Sequence, residues 1–125
     1  MVKNQAKKVL IVEDDVFLSN IYNKKFSNEG FEVFTASDGK KAVIIIKQKK
    51  PDIILLDIML PQMDGFEVLE EIKKDLEVKD IPVILLTNIN EQDGIKKGYD
   101  LGAKDYIIKT FFTPAEVVDK VKKFL

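Results

Sequence analysis

The chain is punctuated by short, unbroken apolar runs, and each ends on a residue able to do phosphate or metal chemistry. Val9-Leu10-Ile11-Val12 leads into Glu13-Asp14-Asp15, and Ile53-Ile54-Leu55-Leu56 into Asp57. Val83-Ile84-Leu85-Leu86 leads into Thr87, and Tyr106-Ile107-Ile108 into Lys109. Continuous apolar runs of this kind read as strands buried on both faces, the pattern of a parallel sheet. In such sheets the strand C-termini line one edge, and ligands bind there. The sequence therefore predicts a cluster of carboxylates, one hydroxyl and one ammonium at a single edge.

The intervening segments carry helical signals. Phe17, Leu18, Ile21, Tyr22 and Phe26 recur at helical spacing; Asp14 or Asp15 can cap that helix, and Gly30 ends it. Phe31 to Ala36 is rich in β-formers and reads as a strand, followed by a turn at Ser37-Asp38-Gly39. Ala42 to Lys49 contains Val43-Ile44-Ile45-Ile46, which local pattern alone would allow as strand; flanking lysines and Pro51 make it a helix. Leu60 to Gly65 is a loop in which Gly65 supplies a backbone angle other residues resist. Phe66, Leu69, Ile72 and Leu76 form a helical stripe, and Ile81-Pro82 opens the next strand. Glu91 to Gly98 is a weak helix carrying Gly94 and Gly98. Thr113-Pro114-Ala115-Glu116 is a capping box with Pro at the first helical position, and Val117, Val118, Val121, Phe124 and Leu125 give that last helix its apolar face. Strand and helix alternate about five times, which predicts an α/β fold with a doubly wound parallel sheet and helices on both faces.

The 125 residues suit one domain, and a hydrophobic fraction of 46% is enough for a real core. Residues 1–8 are polar and read as a flexible leader to a domain over residues 9–125. The 20 basic residues are all lysine against 21 acidic ones, a net charge of -1. Bulk attraction to nucleic acid is not expected from that balance, and guanidinium forks for base or phosphate recognition are missing. Direct nucleic-acid binding is therefore not expected. The absence of His and Cys excludes Ser-His-Asp and Cys-His mechanisms, disulfides and the usual zinc ligand sets. Hard, oxygen-coordinated cations such as Mg²⁺ fit the ligands on offer. No apolar run approaches the roughly 20 residues that span a bilayer, so membrane insertion is not expected, and a cytoplasmic location is.

Taken singly, the strand-end residues have plain readings: Asp14 or Asp15 as a helix cap, Lys109 as a solvated lysine, Thr87 as a β-former. Their conjunction points to chemistry. Glu13, Asp14 and Asp57 held together would repel, and a divalent cation relieves that repulsion; Mg²⁺ takes one or two carboxylates and completes its shell with water and phosphate oxygens. A carboxylate can also act as a nucleophile and form an aspartyl phosphate. Phosphoryl transfer is then helped by cations around the phosphoryl oxygens, a role open to Lys109, and by a hydroxyl donor, a role open to Thr87.

From Val9 to Leu125 the chain resembles a response-regulator receiver domain, the phosphoacceptor half of two-component signalling, in the CheY-like superfamily. The resemblance rests on Leu10-Ile11-Val12-Glu13-Asp14-Asp15, Asp57-Ile58-Met59-Leu60-Pro61-Gln62-Met63-Asp64-Gly65, Leu86-Thr87 and Gly102-Ala103-Lys104-Asp105-Tyr106-Ile107-Ile108-Lys109. It implies a flavodoxin-like strand order, 2-1-3-4-5. It implies Asp57 as the phosphorylated aspartate, with Mg²⁺ held by Glu13, Asp14, Asp57 and the main-chain carbonyl of Met59. Lys109 would pair with Asp57 and then its phosphoryl group. Thr87 would move toward the phosphoryl oxygen while Tyr106 rotates inward as an aromatic switch. The output face would lie at about residues 92–125. The implied partners are a histidine kinase or histidine phosphotransfer protein, and a downstream protein target or an effector domain in a longer chain. Such a domain assists its own phosphorylation and dephosphorylation and is not a turnover enzyme.

The sequence departs from the family pattern in three places. Thr110 stands where Pro usually follows the lysine; a non-prolyl cis bond costs roughly 3 kcal/mol, so a trans Lys109–Thr110 bond is expected, with Lys109 still reaching the site. Asn88 replaces a very small residue after Thr87. Met59 and Ile89, beside the implied phosphoryl group, are apolar and unable to orient an attacking water, which implies a long-lived phosphoaspartate. The competing reading is a degenerate receiver that binds proteins independently of phosphorylation. A haloacid-dehalogenase-like phosphatase would need Asp where Met59 stands, and a flavodoxin-like carrier would not place Glu13-Asp14-Asp15 against a flavin phosphate.

Overall fold

The computed structural model describes residues 6–89 and 91–125. Five strands alternate with five helices: β1 (Lys8–Val12), α1 (Val16–Asn28), β2 (Glu32–Ala36), α2 (Gly39–Lys49), β3 (Ile53–Leu56), α3 (Gly65–Lys74), β4 (Val83–Thr87), α4 (Gln92–Asp100), β5 (Asp105–Ile108) and α5 (Pro114–Lys122). All pairings are parallel, and the sheet runs β2-β1-β3-β4-β5, the expected order. β1 lies between β2 and β3, so the crossover direction reverses there and opens a crevice at the C-terminal ends of β1 and β3. The leader assigned to residues 1–8 falls largely on residues 1–5, outside the described residues, while Lys8 already belongs to β1.

Strand periodicity sorts the core into two layers. Leu10, Val12, Ile54, Leu56, Val83 and Leu85 face Ala42, Ile46, Val68, Leu69 and Ile72 of α2 and α3. Val9, Ile11, Ile53, Leu55, Ile84, Leu86 and Ile107 face Tyr22 and Phe26 of α1 and Val117, Val118 and Val121 of α5. Both faces of the central strands are covered, which is why their sequences show no polar alternation.

Four helices start on a side-chain cap. Asp15, rather than Asp14, accepts from the Leu18 N–H (3.1 Å), and Asp38 accepts from Lys41 N–H (2.8 Å). Asp64/Glu67 and Thr113/Glu116 form reciprocal capping boxes. Because Asp38 caps, α2 begins at Gly39 instead of Ala42, and Gly39 is a helical residue, not a turn. Gly65 also differs from expectation. Its φ is not positive; Gly30 (φ 89°) and Gly102 (φ 101°) are the described glycines that need that freedom. Gly65 is required for space, since a Cβ there would lie 2.3 Å from the Asp57 carbonyl oxygen.

Several apolar positions assigned to core stripes are outside it. α3 stops at Lys74, which leaves Leu76 80% exposed, and Val78 fills the core in its place. Phe17 at the start of α1, and Phe124 and Leu125 beyond the end of α5, are also exposed.

Candidate functional site

Three of the expected site residues extend strands by the same rule. Glu13 stands two residues after Ile11, Asp57 two after Leu55 and Lys109 two after Ile107, so all three continue the layer that faces α1 and α5. The sheet ladder holds their backbones: Glu13 N–H donates to the Ala36 carbonyl (3.0 Å) and Asp57 N–H to the Val12 carbonyl (3.1 Å). Glu13 and Asp57 are 4% and 6% exposed, and Asp14 is open to solvent. One carboxylate oxygen from each of Glu13, Asp14 and Asp57 lies within 4.8 Å of the others. An all-oxygen donor set this tight suits a hard divalent cation, with Asp14 on the solvent side where water can complete the shell.

The Lys109 ammonium reaches this cluster. It donates to Asp57 Oδ2 at 2.7 Å and to Glu13 Oε1. The Lys109–Thr110 bond is trans, and the chain continues into a 3₁₀ turn over Lys109–Phe111. The extra methylene of Glu13, relative to an aspartate, is long enough to share the amine with Asp57. The remaining acceptors are also engaged: Asp57 Oδ1 accepts from Met59 N–H (3.2 Å) and Glu13 Oε2 from Asp15 N–H (3.1 Å). Burial works against the Lys109 charge, but its bonds to Asp57 and Glu13 outweigh this and hold its pKa above the ordinary lysine value. Burial lifts Glu13 above the ordinary glutamate value, with Lys109 opposing and the Asp57 charge adding to the rise. The two directions share one geometry: a single ammonium bonded to two enclosed carboxylates, with burial setting the direction at Glu13 and the bonds setting it at Lys109.

Thr87 and Tyr106 approach from the other layer. Thr87 follows Leu85 on the face toward α3 and α4 and is 1% exposed. Its Oγ1 accepts from Ile89 N–H at 3.4 Å, and the Tyr106 hydroxyl donates to the Ile89 carbonyl at 2.6 Å. Ile89 thus ties the two together through its backbone, while its side chain packs on the core. The half-buried Tyr106 ring lies against Gly98 of α4, where an added Cβ would come within 3.4 Å of it. Met59 and Asn88 present exposed side chains. The spatial demand at Gly65 left no signal beyond the glycine itself.

A family model described as response regulator receiver domain matches residues 9–122. The chain belongs to this family. The receiver is 38% identical to a probable transcriptional regulator ycf27 of Guillardia theta, over 100% of this chain and 51% of the relative. It is 35% identical to the protein of the same name from Porphyra purpurea, over 98% of this chain and 49% of that one. The chain therefore spans about half the length of the curated relatives it matches. Their name, transcriptional regulator, leaves the expected absence of nucleic-acid contact without support. Among solved structures, the chemotaxis response regulator CheY4 of Vibrio cholerae superposes with a TM-score of 0.90 at 26% identity, covering 97% of this chain and 100% of that one. The Mn²⁺-bound response regulator Rcp1 superposes with a TM-score of 0.83 at 30% identity, covering 94% and 93%. No helix among the described residues is long and apolar enough to cross a membrane.

Proposed function

We propose that this receiver accepts a phosphoryl group on Asp57 from a phosphohistidine of a kinase or phosphotransfer protein. The observation that carries the reading is the Lys109 ammonium 2.7 Å from Asp57 Oδ2, beside the Glu13–Asp14–Asp57 oxygens. An Asp57 carboxylate oxygen attacks phosphorus, the P–N bond breaks, and the imidazole leaves with its electron pair. Glu13, Asp14, Asp57 and the Met59 carbonyl would hold Mg²⁺, which when bound neutralises charge on the phosphoryl oxygens. Lys109 keeps its charge in this enclosed position and supplies the second cation. The Thr87 hydroxyl, which among the described residues accepts only a long bond from Ile89 N–H, can donate to a phosphoryl oxygen. Because Ile89 joins Thr87 to Tyr106, that movement is felt at α4 and β5, the start of the output face at about residues 92–125. The Lys109 contacts weigh against the reading of a degenerate, phosphorylation-independent module.

Receiver domains are in general not turnover enzymes, and we assign this one to the cytoplasm, as the acceptor of a signal for a protein target or effector domain. Met59 and Ile89 cannot orient a hydrolytic water, so the phosphoaspartate is long-lived; Met59→Asn shortens its lifetime. Acetyl phosphate with Mg²⁺ should add the mass of one phosphoryl group to the protein and none to Asp57→Asn. Equal labelling of the two proteins contradicts the assignment.

A further inference from the structure

The loop at residues 57–65, which begins with Asp57, is held at two places, and one of the holds comes from α2. At its neck, Asp57 N–H is bonded into the sheet and Gly65 N–H donates to the Ile58 carbonyl at 2.8 Å. At its tip, Met63 N–H reaches back to the Pro61 carbonyl at 2.8 Å, and Gln62 between them has a left-handed backbone (φ 70°). A residue with a side chain resists that conformation and keeps it only where its surroundings dictate it.

The first residue of α2 supplies those surroundings. The buried Gly39 donates its N–H to the same Pro61 carbonyl, at 3.4 Å, and its bare Cα faces Met63. A Cβ at Gly39 would lie 2.7 Å from the Met63 carbonyl carbon and nearer still to its oxygen, a separation real Cβ atoms do not adopt. The contact is backbone on backbone, so no side-chain rotation relieves it. Of the two parties α2 is the firmer: Asp38 caps it (2.8 Å to Lys41 N–H), and Ala42 and Ile46 are fully buried. The tip offers one long bond and a disfavoured turn. With the neck tied, a displacement imposed at Gly39 falls on residues 59–63. Met59 is among them, and its N–H donates to Asp57 Oδ1 at 3.2 Å. Met59 and Pro61 line one crevice with Asp14 and Asp64.

We infer that Gly39 is a positioning residue for Asp57: it seats the turn at residues 61–63 on α2 and thereby holds the Met59 backbone against the carboxylate. Asp57 is then fixed from two sides, Oδ2 by the Lys109 ammonium and Oδ1 by the braced loop. The hold on Met59 stands without the proposed function. Its consequence for Mg²⁺, through the Met59 carbonyl, rests on that reading.

Gly39→Ala adds one methyl group. The readout is the Met59 amide resonance in metal-free protein. Val121→Ala, which weakens the opposite core layer, controls for lost stability. The expected result is a displaced Met59 amide in Gly39→Ala that exchanges with solvent about fivefold faster, the worth of one hydrogen bond. In Val121→Ala it keeps its wild-type position although the unfolding midpoint falls. Magnesium titrated into the same proteins should bind Gly39→Ala about tenfold more weakly and Val121→Ala as it binds wild type. A Met59 amide at its wild-type position in Gly39→Ala, or displaced equally in Val121→Ala, overturns the inference. Should Gly39→Ala fail to fold, Asp38→Ala loosens the first turn of α2 and is read at the same amide: displacement supports the brace and none overturns it. If the wild type takes no magnesium, the metal reading falls while the Met59 amide still decides the fate of Gly39.

Discussion

On the α1–α5 side of the sheet, Glu13 and Asp57 extend the covered central strands β1 and β3 and Lys109 the edge strand β5, backed by Tyr22, Phe26, Val117, Val118 and Val121. α1 and α5 are further tied by the Lys122–Glu29 ion pair. On the other side, Thr87 and Tyr106 adjoin α4, whose one fully buried residue among those described is Gly98 and whose N-cap Glu91 makes no side-chain capping bond. α4 also carries Gly94, and each glycine costs about 1 kcal/mol of helix propensity relative to alanine. Among the described residues its side-chain ties to the rest of the fold are the Tyr99 hydroxyl on Asp105 (3.3 Å) and Lys97 over the Phe66 ring (4.6 Å to the centroid), while the Tyr106 bond to the Ile89 carbonyl (2.6 Å) holds the segment just before it and the exposed Lys96–Asp100 pair stays within the helix. The contrast teaches where each task is placed. Phosphoryl chemistry needs groups held to fractions of an ångström, and a signal needs an element that moves at little cost. Under the proposed function, the first falls to the stiff side and the second to the soft side.

The largest perturbation of the stiff side is Gly65→Ala. Its Cβ would meet the Asp57 carbonyl at 2.3 Å and Ile58 Cα at 2.7 Å, backbone that the sheet holds in place. Urea unfolding should show a loss of about 2–4 kcal/mol, together with loss of phosphoryl labelling. Lys109→Met comes next. It strips the shared cation from two enclosed carboxylates and should cost about 1–3 kcal/mol, less than a fully dry pair because Asp14 and solvent adjoin the site. Magnesium should recover part of that loss in thermal unfolding; no recovery would separate Lys109 from the acidic cluster.

The same cluster sets a pH dependence. Glu13 titrates above the ordinary glutamate value, so the folded protein holds that proton more tightly than the unfolded chain. In metal-free protein, its contribution to stability therefore grows as pH falls through the folded pKa toward the ordinary value. Magnesium needs the bare carboxylate, so its affinity weakens over the same window. Calorimetric titration should find that slope in wild type and a flatter one in Glu13→Gln.

Perturbations of the soft side should be smaller and confined. Tyr106→Phe removes the donor to Ile89 and should free the segment from Thr87 to α4 by about 1 kcal/mol, seen as faster amide exchange there and unchanged exchange in α1. Gly94→Ala acts in the opposite direction. Its Cβ would sit 3.1 Å from Ile89 Cγ2, a side-chain tip able to yield, and the gain in helix propensity should slow α4 exchange by about threefold or less. Equal effects of these two variants on α1 and α4 would erase the distinction between the sides.

The strands and the converging strand ends were legible because buried parallel strands leave continuous apolar runs and the chemistry sits at their C-terminal ends. α2 was legible against its strand-like Val43-Ile44-Ile45-Ile46 because the flanks decided it. Its first residue was not, because Asp38 reads equally as a turn residue or a cap until its bond to Lys41 N–H is seen. Leu76, Phe17, Phe124 and Leu125 match a helical period, but helix ends and exposure depend on where tertiary packing stops. The Lys109–Glu13 bond and the closeness of Gly65 to Asp57 join segments far apart in sequence, and no local pattern encodes them.

The most direct test is amide hydrogen exchange of the magnesium-loaded protein with and without beryllofluoride, an analogue of the phosphoryl group on Asp57. The account predicts altered exchange from Thr87 through β5, little change across α1, and no response in Asp57→Asn. Exchange that stays the same in α4, or that changes equally in Asp57→Asn, would contradict it.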